Sequence, residues 1–295
     1  MKFQGLFVGL TTLDLIYLVA NLPQSNQKIV ALEQTIASGG PATNAAITFS
    51  CLGNQAKLMS IVGKHPLCQL IYQDLKNYSV EINDLAPSIL SSPPVSSIFV
   101  PQSTGERAVV SINATKIQAR VEQLPENTLQ EIDVVLIDGH QIIISEIIAK
   151  QAKLQNIPIV IDGGSWKPGL EKILPYADYV ICSADFYPPN CRGRKSRERI
   201  SRADVFTYLK ALHIPHIAIT NGAEPIQYFN KEDSGEIPIK QVKVLDTLGA
   251  GDIFHGAFCH YILQQEFLSA LTNAATIASN SCQFFGTRQF KQFIP

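Results

Sequence analysis

The sequence predicts an α/β fold, a central and mostly parallel sheet with helices on both faces. Two observations carry that prediction. Short runs rich in β-branched residues alternate with helix-period stretches along most of the chain, the pattern of repeated βαβ units. Most of those runs end in glycine or small polar residues, the place where open α/β sheets make their ligand contacts. A third observation sets part of the chain aside. Residues from about 12 to 36 and from about 92 to 113 carry strand-like stretches with no helix between them.

The elements follow in order. Residues 3–10 form the first strand; Asp14 interrupts the apolar opening, which argues against a secretory leader. A helix over 42–52, a strand over 57–61 and a helix over 66–78 continue the alternation. Ser91-Ser-Pro-Pro94 reads as a hinge-like link. Strands are expected at 134–137, 157–161, 179–181 and 214–220, with helices at 145–155 and 202–212 between them. The helix at 202 is announced by Ser201-Arg-Ala-Asp204, which has capping-box spacing with Asp in place of the usual Glu. Helices over 251–264 and 267–284 close the chain. In the two irregular segments, residues 28–32, 95–100 and 107–112 are the strand-like pieces.

Composition bounds the function. A chain of 295 residues, 46% hydrophobic, is ample for a substantial core. A formal net charge of −1 argues against disorder and against general nucleic-acid affinity. Six dispersed cysteines, at 51, 68, 182, 191, 259 and 282, form no Cys-x-x-Cys pair and no cluster at zinc spacing. They read as reduced thiols of a cytoplasmic protein. No run reaches the ~18 uncharged apolar residues of a membrane span. No internal repeat or low-complexity segment is present.

The run Asp246-Thr-Leu-Gly-Ala-Gly-Asp252, followed by Ile-Phe-His-Gly-Ala-Phe258, carries the chemistry. A glycine-rich turn opening a helix directs free N–H groups and the positive end of the helix dipole at one spot, where an anion fits. Asp252 puts a carboxylate beside that anion. An anion cradle with an adjacent base suits phosphoryl transfer to a hydroxyl. Taken alone, Asp252 also reads as an acidic residue complementing a helix N-terminus.

This run closely resembles the second signature of the ribokinase-like (PfkB) carbohydrate kinases. Gly39-Gly40-Pro-Ala-Thr-Asn44-Ala-Ala, leading to Leu52-Gly53, resembles the first signature, and lies about 200 residues upstream in the expected order. The resemblance extends over essentially the whole chain. It implies a ribokinase-like fold in which about 12–36 and 92–113 pair into a small β-lid. Such a lid excludes water from a site whose competing reaction is ATP hydrolysis. It also leaves open a homodimer formed through the lid. The implied reaction moves the γ-phosphoryl of Mg-ATP to a hydroxyl of a small carbohydrate. Asp252 would be the base, kept ionised at neutral pH by its helix N-terminus. Gly249, Ala250 and Gly251 would give N–H groups to the transferred phosphoryl. In several relatives the region of Asp246 and Thr247 also helps to hold a monovalent cation such as K+.

On the sugar side the resemblance implies Asp14, Gly39, Gly40 and Asn44, the glycines allowing close approach of backbone to substrate. Without that frame, Asp14 would read as a turn cap and Asn44 as a helix cap. Arg107 resembles a lid arginine that some relatives use near substrate or phosphate; a surface ion pair is the plain alternative. Asp138 and His140, in Asp138-Gly-His140, follow a strand where ketohexokinase-like members carry a residue that meets the sugar. A lone histidine there reads equally well as a structural hydrogen-bonder. Lys167 follows the next strand and reads first as a solvated side chain.

On the nucleotide side the match is looser. The Asn-x-x-Glu of many relatives, tied to magnesium and phosphate, becomes Ser183-Ala-Asp185-Phe186, in which Asp185 is left to act through magnesium-bound water. The usual Thr-x-Gly-x-x-Gly becomes Thr220-Asn-Gly222-Ala-Glu-Pro225, and the proline removes an N–H from the loop. Thr220 and Gly222 are expected at the phosphates, and Asn273 and Asn280 near the adenine. Cys191 to Arg202 holds six basic residues against one acid and reads first as solvated surface, then as an attractor of ATP phosphates. No Walker-type Gly-x-x-x-x-Gly-Lys-Ser/Thr and no His-Arg-Asp triplet occurs. Two other readings stand beside the sugar kinase. A nucleoside kinase needs an aromatic platform, for which Tyr17 and Phe99 are the nearest candidates. A regulatory protein without turnover is suggested by the altered nucleotide motifs and opposed by the intact Asp252.

Overall fold

The computed structural model describes residues 2–112, 117–189 and 201–294, so most of the basic stretch 191–202 lies outside it. Strands and helices are numbered in chain order. Seven parallel strands lie in the order β5 (Val80–Asp84), β4 (Gln55–Ser60), β1 (Gln4–Val8), β8 (Val134–Ile137), β9 (Ile159–Gly163), β10 (Tyr179–Ser183) and β11 (His216–Asn221). Two antiparallel strands, β12 (Glu224–Asn230) and β13 (Asp233–Ile237), extend that sheet at one end. The central strands are buried on both faces, and their successive side chains feed two different cores. Phe7, Leu58, Leu136 and Val160 pack with α1 (Pro41–Cys51), α2 (Cys68–Asn77), α5 (Ala250–Ile262) and α6 (Phe267–Ser281). Leu6, Val8, Ile137 and Ile161 pack on the other side with α3 (Ile142–Leu154) and α4 (Arg202–Ala211).

The capping box expected at the start of α4 is present. The Asp204 N–H donates to Ser201 Oγ at 3.3 Å, and the Ser201 N–H donates back to Asp204 at 2.9 Å. The expected β9–β11 and β4 are shifted by one or two residues from their predicted bounds, whereas β5, β12 and β13 have no counterpart in the sequence reading. Those three lie at the ends of the sheet, β5 and β13 as its edges, and are polar or half-exposed strands without a continuous apolar run.

The irregular segments pair into a separate four-stranded sheet, β3 (Glu33–Gly39), β2 (Thr12–Val19), β6 (Val95–Pro101) and β7 (Ala108–Ser111). The strand expected at 28–32 is instead irregular chain, with Val30 83% exposed, and the true strand begins at Glu33. Apolar residues misled there because they face solvent. The inner face of this sheet, Ile16, Leu18, Ile98 and Val100, packs on Phe285, Leu245 and Leu248. Its turn docks on the 245–248 loop, with Thr247 Oγ1 donating to Gly105 O at 3.1 Å.

β1 lies between β4 and β8, and the chain leaves it to build one side of the sheet before returning to build the other. That reversal opens a crevice at the carboxyl ends of β1 and β8, the usual ligand position in open α/β sheets.

Candidate active site

Two helix N-termini meet in this crevice. α1 begins at Pro41 and α5 at Ala250, and the helices approach closely enough that a Cβ on Gly256 would strike the Ala45 carbonyl oxygen. Both dipoles therefore turn their positive ends to one place. Gly249, the N-cap of α5, adopts φ 68°, and a Cβ there would lie 2.7 Å from Thr287 Cγ2, so glycine is required on two counts. The turn leaves the N–H groups of Gly249, Gly251 and Asp252 with no partner among the described residues. Ala250, expected to contribute its N–H as well, spends it on Thr247 O at 3.3 Å. The Asp252 N–H takes its place.

Asp252 stands in the first turn of α5. Its Oδ2 accepts from Asn44 Nδ2 at 2.8 Å, which joins residues 208 positions apart. Burial, and then the Asp162 carboxylate, push the Asp252 carboxyl up to about 6, against the opposing pull of Asn44, His255 and Arg107. The expectation of a carboxylate held ionised by the helix start is thus modified. Asp252 is ionised at neutral pH but a stronger base than an ordinary aspartate. Asp246 is buried, and its two oxygens accept the Leu248 and Gly286 N–H groups at 2.8 Å each, which ties the glycine loop to the C-terminal segment. Burial raises its pKa, and it has no ion-pair partner among the described residues.

Asp14 lies at the base of the small sheet, 7% exposed, accepting from Thr12 Oγ1 at 2.7 Å. Burial raises its pKa, opposed by Thr12, Ser96 and the Arg288 charge. A Cβ on Gly39 would fall on the Asp14 carboxylate, so the first-signature glycine is there to let β3 pass this side chain. Gly40 caps α1 with φ 98°. Asn44 has both ends of its amide engaged: Oδ1 accepts from Arg288 at 2.9 Å and Nδ2 reaches Asp252. Arg107, on the exposed turn between β6 and β7, donates to Thr247 O at 3.3 Å.

Asp138 corrects an expectation. Foreseen on the sugar, it is 0% exposed, and its carboxylate is filled by protein. Oδ2 accepts the Leu10 and Ala42 N–H groups at 2.8 and 3.2 Å, and Oδ1 accepts the His140 N–H at 2.9 Å with the His140 ring at 3.1 Å. Those four contacts use the roughly four lone-pair sites of a carboxylate. Burial would raise its pKa, but the His140 and Lys167 charges and these hydrogen bonds hold it down at about 2. Asp138 is the clamp that joins β1, α1 and β8 at the crevice. His140 is turned to Asp138 through Nδ1, and its Nε2 has no partner among the described residues.

The family model for the pfkB family carbohydrate kinases matches residues 4–292. The chain belongs to that family. It is accordingly an ATP-dependent phosphotransferase of the carbohydrate-kinase class. A Salmonella typhi deoxyribokinase is 23% identical over 300 residues, covering 95% of this chain and 93% of its own. A ribokinase structure from Agrobacterium tumefaciens, described as putative, aligns with TM-score 0.85 at 22% identity over 100% of this chain and 98% of that one. Arabidopsis thaliana ribokinase complexed with ribose and ATP aligns with TM-score 0.77 at 20% identity, covering 100% and 99%. The fold is therefore ribokinase-like.

The residues expected on the nucleotide side of this PfkB member lie at the ends of β10 and β11. Ser183 Oγ is committed to Gly164 O and to the Asp185 N–H, whereas the Asp185 side chain is exposed beyond the strand. Thr220 Oγ1 donates to Cys182 O at 3.3 Å. Gly222 opens the two-residue turn between β11 and β12 with φ 55°, and the space beside it is empty. Asn280 lies near the end of α6, three residues before Gln283, whose amide reaches it. Asn273 lies on the same helix, and its Nδ2 donates to Gln265 at 2.7 Å, in the turn that joins α5 to α6. The aromatic pair Tyr17 and Phe99 stacks at 5.7 Å, but strand alternation places it on the face of the small sheet opposite Asp14.

Three side chains at the site escaped the sequence reading in any role. Asp162 ends β9 and acts electrostatically on Asp252. Arg288 comes from the C-terminal segment to Asn44, Ser38 and Asp74, contacts with no local spacing to announce them. His255 did carry a signal, since a polar residue three positions after Asp252 returns to a neighbouring face of the same helix.

Proposed function

We propose that this PfkB kinase transfers the γ-phosphoryl of ATP to a hydroxyl of a small sugar. The observation that carries the reading is the 2.8 Å bond between Asn44 and Asp252, which draws the two signatures into one site. The sugar lies between Asp14, the Gly39–Gly40 turn and the small sheet, which serves as its lid. Asn44 occupies Oδ2 of Asp252, so Oδ1 takes the hydroxyl proton as the oxygen attacks. The N–H groups of Gly249, Gly251 and Asp252 receive the charge that develops on the moving phosphoryl. Arg107 adds positive charge from the lid, and His140 Nε2 is available to a more distant part of the substrate.

ATP phosphates are met by Thr220 and Gly222, and Asn280 stands toward the adenine. Magnesium usually binds through one or two carboxylates together with phosphates and water. The exposed Asp185 fits such contact through water, and bound Mg2+ would neutralise phosphate charge. Asp246, a buried carboxylate without an ion-pair partner among the described residues, fits a monovalent cation such as K+ beside it. The outer face of the lid carries the cross-strand row Ile36, Leu15, Ser97 and Val110, with Ile36 48% and Val110 70% exposed. A second copy of the chain would cover it.

The test is ADP release from Mg-ATP across a panel of pentoses, hexoses, their deoxy and amino derivatives, and nucleosides. One sugar should stimulate turnover well above the rest. Stimulation by nucleosides alone, or ATP binding without turnover on the whole panel, would overturn the reading.

A further inference from the structure

Three consecutive residues after α6, Gly286, Thr287 and Arg288, brace the glycine loop. The Gly286 N–H donates to Asp246 at 2.8 Å, Thr287 Cγ2 closes the space beside Gly249, and Arg288 reaches Asn44. The Arg288 side chain is 13% exposed, and its guanidinium carbon lies 5.4 Å from the centre of the Tyr78 ring. Nη1 donates to Asn44 Oδ1 at 2.9 Å and to Thr287 Oγ1 at 2.8 Å. Nη2 donates to the Ser38 carbonyl oxygen and to Asp74 Oδ2, the latter at 3.1 Å. Those contacts use four of the five N–H groups of a guanidinium. The fifth, on Nε, is buried without a partner among the described residues. Arg288 is therefore spent on protein groups, and it acts on the site through the groups it holds.

The most telling of these is an amide. An Asn side chain offers an oxygen that accepts and an NH2 group that donates. In Asn44, which is buried, Oδ1 meets Arg288, which only donates, and Nδ2 meets the Asp252 carboxylate at 2.8 Å. Turning the amide over would set its NH2 group against the guanidinium and its oxygen against the carboxylate, so both contacts would be lost at once. Without Arg288 the amide is held from one side alone. The same guanidinium ties it to Ser38, next to Gly39 and so beside Asp14. One rigid plane thus sets the base and the sugar-side strand in a fixed relation. The Arg288 charge acts on Asp14, whereas the groups that act most on Asp252, besides Asn44, are Asp162, His255 and Arg107. An effect of Arg288 on Asp252 runs through Asn44.

We propose that Arg288 is a positioning residue, which locks the Asn44 amide with its NH2 group toward Asp252 and couples that amide to the Ser38 end of β3. The geometry stands by itself; the consequence for turnover rests on the sugar-kinase reading. Removing the guanidinium frees the amide, so the base loses its fixed hydrogen bond and kcat falls. It also loosens the end of β3, so sugar KM rises.

The deciding measurement needs no turnover: the titration of Asp252 by carbon-13 NMR of aspartate-labelled protein, with its signal assigned by loss in Asp252→Asn. Arg288→Met should move the Asp252 midpoint above its native value of about 6. In an Asn44→Leu background the same substitution should move it no further, because two residues acting in one chain of contacts are not additive. Arg288→Lys keeps the charge, but its single ammonium goes to the Asp74 carboxylate rather than to the neutral Asn44 oxygen, so it should shift Asp252 as Met does. On the sugar found by the panel, Arg288→Met should lower kcat about tenfold or more, with no further loss once Asn44 is Leu. An unmoved Asp252 in both Arg288 variants, with only thermal stability lowered, would reduce the guanidinium to a fastener of the C-terminal segment and refute the proposal. Equal shifts with and without Asn44 would refute it as well. Should Arg288→Met not fold, Arg288→Lys and its pair with Asn44→Leu carry the same test. If the shifts appear in a protein that no sugar stimulates, the kinase reading fails and the positioning role stands.

Discussion

Replacing Asp138 by Asn separates two roles that the same residue was capable of filling. The native carboxylate accepts four contacts, two on each oxygen, from Leu10, Ala42 and His140. An Asn side chain keeps one oxygen and presents an NH2 group where the other stood. Turned so that its NH2 group meets His140, whose neutral ring nitrogen can accept, the amide still sets one buried backbone donor against another. At ~1–3 kcal/mol for an unsatisfied group, the variant should lose about 1–3 kcal/mol. That corresponds to a Tm lower by roughly 2–10 °C in a protein of this size. The pH dependence gives an independent sign. The folded carboxyl titrates at about 2, below its ordinary value of 3.8, so the proton binds the unfolded chain more tightly. Its stabilisation is fully present above pH 3.8 and is lost as pH falls through 2. The difference is worth about 2 kcal/mol, and it should vanish from the acid unfolding profile of Asp138→Asn. Urea unfolding at pH 7 and at several values between 2 and 4 measures both effects. A variant with native stability and acid profile but a raised sugar KM would refute the clamp and restore Asp138 to the substrate.

Other substitutions probe the site from different sides. Asn44→Leu removes the hydrogen bond that lowers the Asp252 pKa, so the acid limb of kcat/KM should move above its native position near 6; an unmoved limb in an otherwise folded variant contradicts Asp252 as the titrating group. Gly39→Ala puts a Cβ on the Asp14 carboxylate and should raise sugar KM about tenfold or more with ATP KM unchanged, measured by initial rates at fixed saturating cosubstrate. Equal loss for both substrates would show that β3 itself is displaced. Val110→Asp, on the exposed outer row of the lid, should turn a dimer into a monomer in sedimentation velocity, and a native protein that is already monomeric excludes the lid as an interface.

The sequence displayed the parallel half of the fold because buried central strands are continuous apolar runs and their covering helices keep a 3.6-residue period. It misplaced β3, since Ile29 to Leu32 is apolar yet largely solvent-facing while the first half of Glu33–Gly39 is polar and pairs with β2 through its backbone. The glycine loop was legible for a local reason: positive φ at Gly249 and a helix start within a few residues leave marks in any sequence. Asp138 was not, because a residue at a strand's carboxyl end reads the same whether it faces ligand or closes on backbone N–H groups. Its partners Leu10 and Ala42 are 128 and 96 positions away. Arg288 and Asp162 act across comparable separations, where only the folded chain shows who is near whom.

The central claim is that Asp252 takes the proton of the attacking hydroxyl. With the sugar found on the panel, Asp252→Asn should bind ATP and sugar with native affinity, by calorimetry, and lose about a thousandfold or more in single-turnover phosphoryl transfer. An Asn variant that transfers phosphoryl at near the native rate, with both substrates bound, would contradict the account.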